Sequence, residues 1–292
     1  MKKTIALLAS VLTLGINSTT YAQSDLSKSG KSLLWKISGK KLNKSSYLFG
    51  TMHIICPEDF IWTNKMIESL EKSEKICFEM DLDNPELMQQ TMELMKDKSG
   101  KKIRDYFKPE QYTIISKYVQ EKMGVDISML NGMKPIMLES LLIKDQAHCP
   151  NAIGYEDTIM KIGKKTNKEI MGLEEPKEQI EALESMPVDS FINSLMEEIS
   201  AQKGNDTNYA KLMNAYKTQD LPALYSLINE SKELGDNMAP FLDDRNAKWI
   251  GKITDKMRKS SVFFAVGAGH LWGDKGVITL LIKNGYVVEA IR

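Results

Sequence analysis

Apolar positions divide the chain into two kinds of sequence. Near the start, LLWKIS (33–38) and SYLFG (46–50) are short apolar runs bounded by Gly, Ser and Lys clusters, which predicts strands. NKMIESLEKS (64–73) repeats apolar residues at helical spacing and predicts an amphipathic helix, and KICFEMD (75–81) predicts another strand. The period then changes. Pro85–Lys98 and Pro109–Lys122 each open on a proline suited to a first helical turn, and helical patterns continue through Ile136–Lys144, Tyr155–Lys164 and Val188–Gln202. EIMGLEE (169–175) interrupts them with a short strand pattern. After a helix from about Asp244 to Arg258, SVFFAVGAGH (261–270), a helix at Lys275–Asn284 and YVVEAI (286–291) restore a β-α-β pattern. The expected fold is α/β. A central sheet is built from the N- and C-terminal β-α-β segments, its open edges come from the two chain ends, and a long helical insertion covers about 85–260.

The first 22 residues follow a different rule. Lys2 and Lys3 precede an apolar run from Ile5 to Ile16, and Thr20 and Ala22 place small residues at −3 and −1 of a cut after Ala22, the layout of a secretory signal peptide. The expectation is an exported protein, periplasmic or secreted, with one domain over 23–292. No integral membrane span is expected after cleavage, because the leader is short and nothing later approaches a spanning run. Across all 292 residues, 39 Lys+Arg balance 39 Asp+Glu; without Lys2 and Lys3 the counts are 37 and 39, a net charge of −2. Basic and acidic residues are interleaved rather than gathered into a phosphate-neutralising stripe, so a nucleic-acid partner is not expected.

An oxidising compartment changes the reading of the three cysteines. Cys77 lies in an apolar strand-like run and is expected to be a buried, inert thiol. Cys56 and Cys149 each precede a proline in loop-like contexts, IICPED and AHCPNA, and are expected to pair. The 18 methionines, with Met88, Met92 and Met95 at helical spacing, are read as flexible core filling rather than soft-metal ligands.

Histidine usage carries the strongest chemical signal. Two of the three follow one pattern, an apolar strand ending in Gly-x-x-His: Gly50-Thr51-Met52-His53 and Gly267-Ala268-Gly269-His270. Such a glycine lets the backbone turn as the strand exits, presenting the imidazole at the C-terminal sheet edge where α/β proteins place ligands. Glu79 ends the strand-like run KICFEMD, with Asp81 on the same side under period two. Two imidazoles and a carboxylate suit zinc, manganese, cobalt or iron, with positions left open for water and substrate. Glu174 follows the short apolar strand IMGL, and Arg245 opens the helical segment DDRNAKWIGKI, where a guanidinium would hold a substrate carboxylate or a developing oxyanion. His148 has no partner pattern and is expected in a loop. HExxH, GxSxG and GxxxxGK[ST] are absent, and GAGHLWG places Trp272 where a dinucleotide fingerprint needs its last glycine.

LWKI (34–37), YLFGTMHI (47–54), FEMD (78–81), GLEEPKEQ (172–179), Arg245-Asn246 and VGAGHLWGDKGVITLLIKNGYVVEAI (266–291) together resemble the TraB/GumN family, which includes the Tiki proteases and is similar to erythromycin-esterase-type and ChaN-type proteins. The resemblance implies an α/β core with a helical insertion and a site built from His53, His270 and Glu79. For the Tiki branch it further implies metal-dependent peptide hydrolysis. Tyr155-Glu156-Asp157 departs from the family's frequent Gly-x-Asp by placing Glu156 at the acidic position. The function expected is therefore an exported hydrolase that uses a divalent ion (zinc, manganese or cobalt) on a peptide or protein substrate. Two alternatives stand beside it: a non-catalytic envelope protein binding a peptide or haem-like ligand, and a metal-independent esterase-type hydrolase with a histidine as general base.

Overall fold

The computed structural model describes residues 30–138, 149, 151–201, 207–230 and 239–292. The expected leader and His148 lie outside these residues, as does most of the Ile136–Lys144 pattern. Strands β1 (Leu34–Ser38) and β2 (Ser46–Thr51) form an antiparallel hairpin whose turn contains Gly39, Lys40 and Lys41, all at positive φ. Helix α1 (Asn64–Lys72) leads into β3 (Lys75–Phe78), and β4 (Glu169–Gly172), β5 (Val262–Gly267) and β6 (Val287–Ile291) complete a six-stranded sheet of order β4-β3-β5-β2-β1-β6. The four strands β4, β3, β5 and β2 are parallel, so their C-terminal ends share one side of the sheet. The central strand β5 is almost wholly buried, as its continuous apolar run VFFAV requires.

The mixed α/β class follows the expectation, but the sheet edges do not. One edge is C-terminal β6; the other is β4, from the middle of the chain, while β1 lies inside between β2 and β6. The short EIMG run reaches the sheet after α4 (Tyr155–Lys165), which packs against β3 so closely that a Cβ on Gly163 would stand 2.6 Å from Ile76 Cδ1. The strand KICF also ends sooner than expected, at Phe78, so alternation does not carry Asp81 to the site; its carboxylate accepts the Asp83 N–H instead, at 3.4 Å.

Between β3 and β5 run α2 (Leu87–Leu94), α3 (Pro109–Met123), α4, α5 (Pro176–Glu184), α6 (Val188–Ala201), α7 (Thr207–Lys217), α8 (Leu221–Glu230) and α9 (Asp243–Lys259); α10 (Val277–Lys283) joins β5 to β6. The buried apolar side chains form two cores. One joins the sheet to Tyr155, Tyr216, Leu224, Trp249 and Leu281; the other, within the helical stretch, gathers Ile115, Val119, Phe191, Leu195, Phe241 and Leu242. Helix α9 begins beside the second core and continues into the first. Met88 and Met92 depart from the core-filling expectation: at i,i+4 on α2 they are 76% and 41% exposed, while Met95 after the helix is buried.

Candidate functional site

Each of the four parallel strands delivers one polar side chain to the same edge. His53 follows β2, Glu79 follows β3, Glu174 follows β4 and His270 closes the short 3₁₀ turn Ala268–His270 after β5. Arg245 enters from the start of α9, where the two cores meet. The two Gly-x-x-His glycines serve close approach, not a turn, since neither adopts positive φ. A Cβ on Gly50 would stand 3.1 Å from the Ala268 Cα, so the first motif admits the second. A Cβ on Gly267 would lie 3.3 Å from Glu79 Oε1, 3.6 Å from His270 Cδ2 and 3.9 Å from His53 Nε2. Gly267 thus keeps open the point on which both imidazoles and the carboxylate converge.

Arg245 binds the carboxylates together. Its Nη2 donates to Glu79 Oε2 at 2.6 Å and to Glu174 Oε1 at 2.5 Å, and its Nε donates to Glu174 Oε2 at 3.1 Å. Its Nη1 donates to the Phe241 carbonyl at 3.1 Å and faces His270 Nε2 at 3.2 Å. Trp249, one turn along α9, donates its indole N–H to Glu174 Oε2 at 3.0 Å and lies under the guanidinium, 4.9 Å from its carbon. Glu79 Oε1 accepts the Gly267 N–H at 2.8 Å, and Gln179 of α5 reaches Oε2 at 3.4 Å. Burial alone would raise the Glu79 carboxyl, but His270, Arg245, His53 and the Gly267 N–H hold it down at about 2. Burial raises Glu174 above its ordinary value against the opposing pull of Arg245.

The two imidazoles have different environments. The Asn246 amide N–H groups are committed to the His270 and Lys275 carbonyls, so its Oδ1 is the acceptor for His270 Nδ1–H at 2.8 Å. That leaves the His270 Nε2 lone pair directed at Arg245 and, at 3.8 Å, Glu79 Oε1. Burial pushes His270 down to about 3 despite Glu79, so it is neutral at pH 7, and Arg245 is the permanent cation beside Glu79. His53 faces solvent, with its side chain 62% exposed. Its Nδ1 donates to Glu156 Oε1 at 3.0 Å, and the same oxygen accepts the Thr51 hydroxyl at 2.7 Å. Desolvation works to lower His53, but the Glu156 hydrogen bond and charge, with Glu79, raise it to about 9, an attraction that water at this exposed ring screens in part.

Each imidazole therefore has its Nδ1 tied to an outer oxygen, as metal-ligating histidines do. Two donors held about 2.1 Å from one tetrahedral ion stand about 3.4 Å apart, and His270 Nε2 and Glu79 Oε1 are close to that at 3.8 Å. The donor chemistry fits a divalent cation. Among the described residues, however, no three His, Cys, Asp or Glu side chains are gathered tightly enough to hold an ion as they stand, and Arg245 occupies the His270 lone pair.

All five site residues expected from the sequence meet at this edge. In the sequence Asn246 and Trp249 have no role of their own, because their contacts depend on α9 lying across the strand ends; the pairing of Asn246 with Arg245 in one motif is the available signal. Glu156, whose family position was in question, is the partner of His53. The Cys56–Cys149 disulfide is formed, with Cα atoms 5.9 Å apart, and Cys77 is a buried free thiol that burial pushes up to about 12. Among the described residues no helix is long and apolar enough to cross a membrane.

Fold and site together define an α/β protein with a polar, arginine-bridged cluster at the C-terminal ends of its parallel strands. The chain belongs to the TraB/PrgY/gumN family, whose profile matches residues 33–290. No curated protein and no solved structure gives a significant match.

Proposed function

We propose that this cluster is the active centre of an exported, metal-dependent hydrolase, with His53, Glu79 and His270 as ligands of one divalent ion. The observation that carries the reading is the convergence of these three side chains around Gly267, with both histidines oriented through Nδ1. Binding must first release the proton that His53, raised to about 9, carries at pH 7; the ligand set then formed, Glu79 with two neutral imidazoles, lies beside the Glu156 carboxylate and is offset on the protein side by Arg245. When bound, such an ion supplies Lewis acidity toward water and toward a carbonyl oxygen. The chain's own groups do the rest: Arg245, anchored by Glu79 and Glu174, places a fixed positive charge beside the strand ends to stabilise a developing oxyanion, and Trp249 keeps its plane oriented. Assignment to a peptide or amide bond rests on the resemblance of the motif runs to the Tiki branch. The disulfide supports an oxidising, exported setting, periplasmic or secreted.

Metal analysis of the full chain purified without chelator, with hydrolysis assayed on a peptide library, tests the reading. The expected result is one tightly held ion per chain and hydrolysis abolished by chelator. His53→Ala and His270→Ala should each remove most turnover, and the double variant should cost little more, because ligands of one ion act as a unit. His148→Ala should change nothing. Arg245 on the His270 lone pair favours a second reading, a metal-independent hydrolase; undiminished hydrolysis in chelator would establish it and end the first.

A further inference from the structure

The segment carrying Glu156 is fastened to the segment carrying His53 at successive points. Ile55 and Ile153 exchange both backbone N–H···O bonds, each 2.9 Å. The Cys56–Cys149 bridge lies beside that pair, its Cα atoms 5.9 Å apart. A Cβ on Gly154 would stand 2.8 Å from the His53 carbonyl oxygen, so glycine is what lets the two segments come this close. Tyr155, fully buried, accepts the Ile61 N–H at 2.9 Å and donates its hydroxyl to the Ile61 carbonyl at 3.0 Å. Glu156 comes next, in the first turn of α4, and its Oε1 meets both Thr51 and His53 at the end of β2.

A carboxylate in a helix's first turn is ordinarily stabilised by the helix dipole and needs no partner. Here it engages two residues 105 and 103 positions away, so its placement depends on how segment 151–156 is held against 51–56. We infer that the disulfide and the Ile55–Ile153 pair form a clamp that makes Glu156 the positioning residue of His53, so that the competence of the site follows the oxidation state of Cys56–Cys149. This rests on the reading that His53 belongs to the active centre. Glu156 fixes the proton on His53 Nδ1 and so turns Nε2 toward Gly267. A dithiol reductant releases the clamp: two electrons and two protons pass to the bridge, the S–S bond breaks to two thiols, and the reductant closes to its own disulfide. Segment 151–156 is then held by weaker, non-covalent contacts, and the carboxylate leaves its register with the ring.

Histidine-ring nitrogen NMR of the full chain in chelator decides this without requiring metal or activity, since the chain has only three histidines. In the oxidised protein the His53 ring should show its Nδ1 proton hydrogen-bonded. Glu156→Gln should shift the His53 signals and leave His270, held by Asn246, unmoved. Treatment with a dithiol, and separately the Cys56→Ser/Cys149→Ser variant, should produce the same shift with the far-ultraviolet circular dichroism unchanged. After the chelator is removed, titration with cobalt(II) should show about ten- to hundred-fold weaker binding for the reduced chain and for the serine variant than for the oxidised chain. His53 signals indifferent to Glu156→Gln overturn the positioning role; signals that move with Glu156→Gln but not with reduction or the serine pair overturn the clamp. If the oxidised wild-type chain binds no cobalt, the metal reading fails separately, and the ring spectra still judge this one.

Discussion

Asn246 shows how one side chain sets the chemistry of its neighbour. Its two amide N–H groups satisfy the His270 and Lys275 carbonyls, which forces Oδ1 toward the ring and the ring proton onto Nδ1. Replacement by leucine preserves bulk but leaves a buried ring N–H and two carbonyls without these partners. Asn246→Leu should therefore cost about 1–3 kcal/mol of stability, read by denaturant unfolding. It should also weaken metal binding by about ten- to hundred-fold, read by competition with a chelating dye, because His270 no longer holds one tautomer. Equal metal affinity in the variant would show that Arg245 and burial suffice to orient the ring. His53 and His270 were legible from the sequence because each closes a strand with the same four-residue spacing. Asn246 was not, because a hydrogen bond across 24 positions leaves no local pattern.

At the scale of elements, the site depends on how closely β4 and the end of β3 approach. A Cβ on Gly172 would stand 2.5 Å from the Asp81 nitrogen and 2.9 Å from the Met80 carbonyl carbon. These are backbone atoms directly after Glu79, so no rotamer change relieves the clash. Gly172→Ala should destabilise by about 1–3 kcal/mol and shift Glu79 away from Arg245 and Gly267. The shift is checked by loss of metal affinity out of proportion to the loss of Tm; a variant with wild-type Tm would show that the segment after Glu79 yields freely. The parallel strands themselves were readable because a strand buried on both faces leaves a continuous apolar run, as in VFFAV. The sheet edge was not. EIMG is four residues long, and only its partner β3 and the α4 crossover say where it pairs. Helices α5, α7 and α8 were likewise not legible as elements: α5 turns Ile180 to the second core, α7 turns Tyr216 to the first, and α8 places Leu221 and Leu224 in the first but Ile228 against the second. Arg245 could be named from its motif, but its place at the junction of those cores follows from packing.

The whole molecule should register the site's ionisation in its stability, because equal numbers of acidic and basic residues keep net charge from dominating near neutrality. For the chelator-treated, disulfide-intact chain, three groups contribute most; Glu156, held low by His53 against its burial, adds to the acid limb, and Glu174, raised by burial, opposes it. His270 titrates near 6.5 unfolded and about 3 folded, so between those values the unfolded state binds more protons and stability falls on acidification. Glu79, about 2 folded against 4.5 unfolded, steepens the loss below pH 4.5. His53 has the opposite sign: at about 9 folded against 6.5 unfolded, it favours the folded state fully below 6.5 and loses that contribution as pH rises toward 9. The thermal midpoint should therefore peak near pH 6.5 and decline on both sides, more steeply on the acid side because His270 and Glu79 are buried while His53 faces water. Replacing His53 by Gln should flatten the alkaline limb and leave the acid limb in place. A midpoint that is level between about pH 4 and pH 6.5 would mean that His270 accepts a proton within the folded protein. In that case the proton occupies the Nε2 lone pair that the proposed ion requires, and metal binding has to displace it.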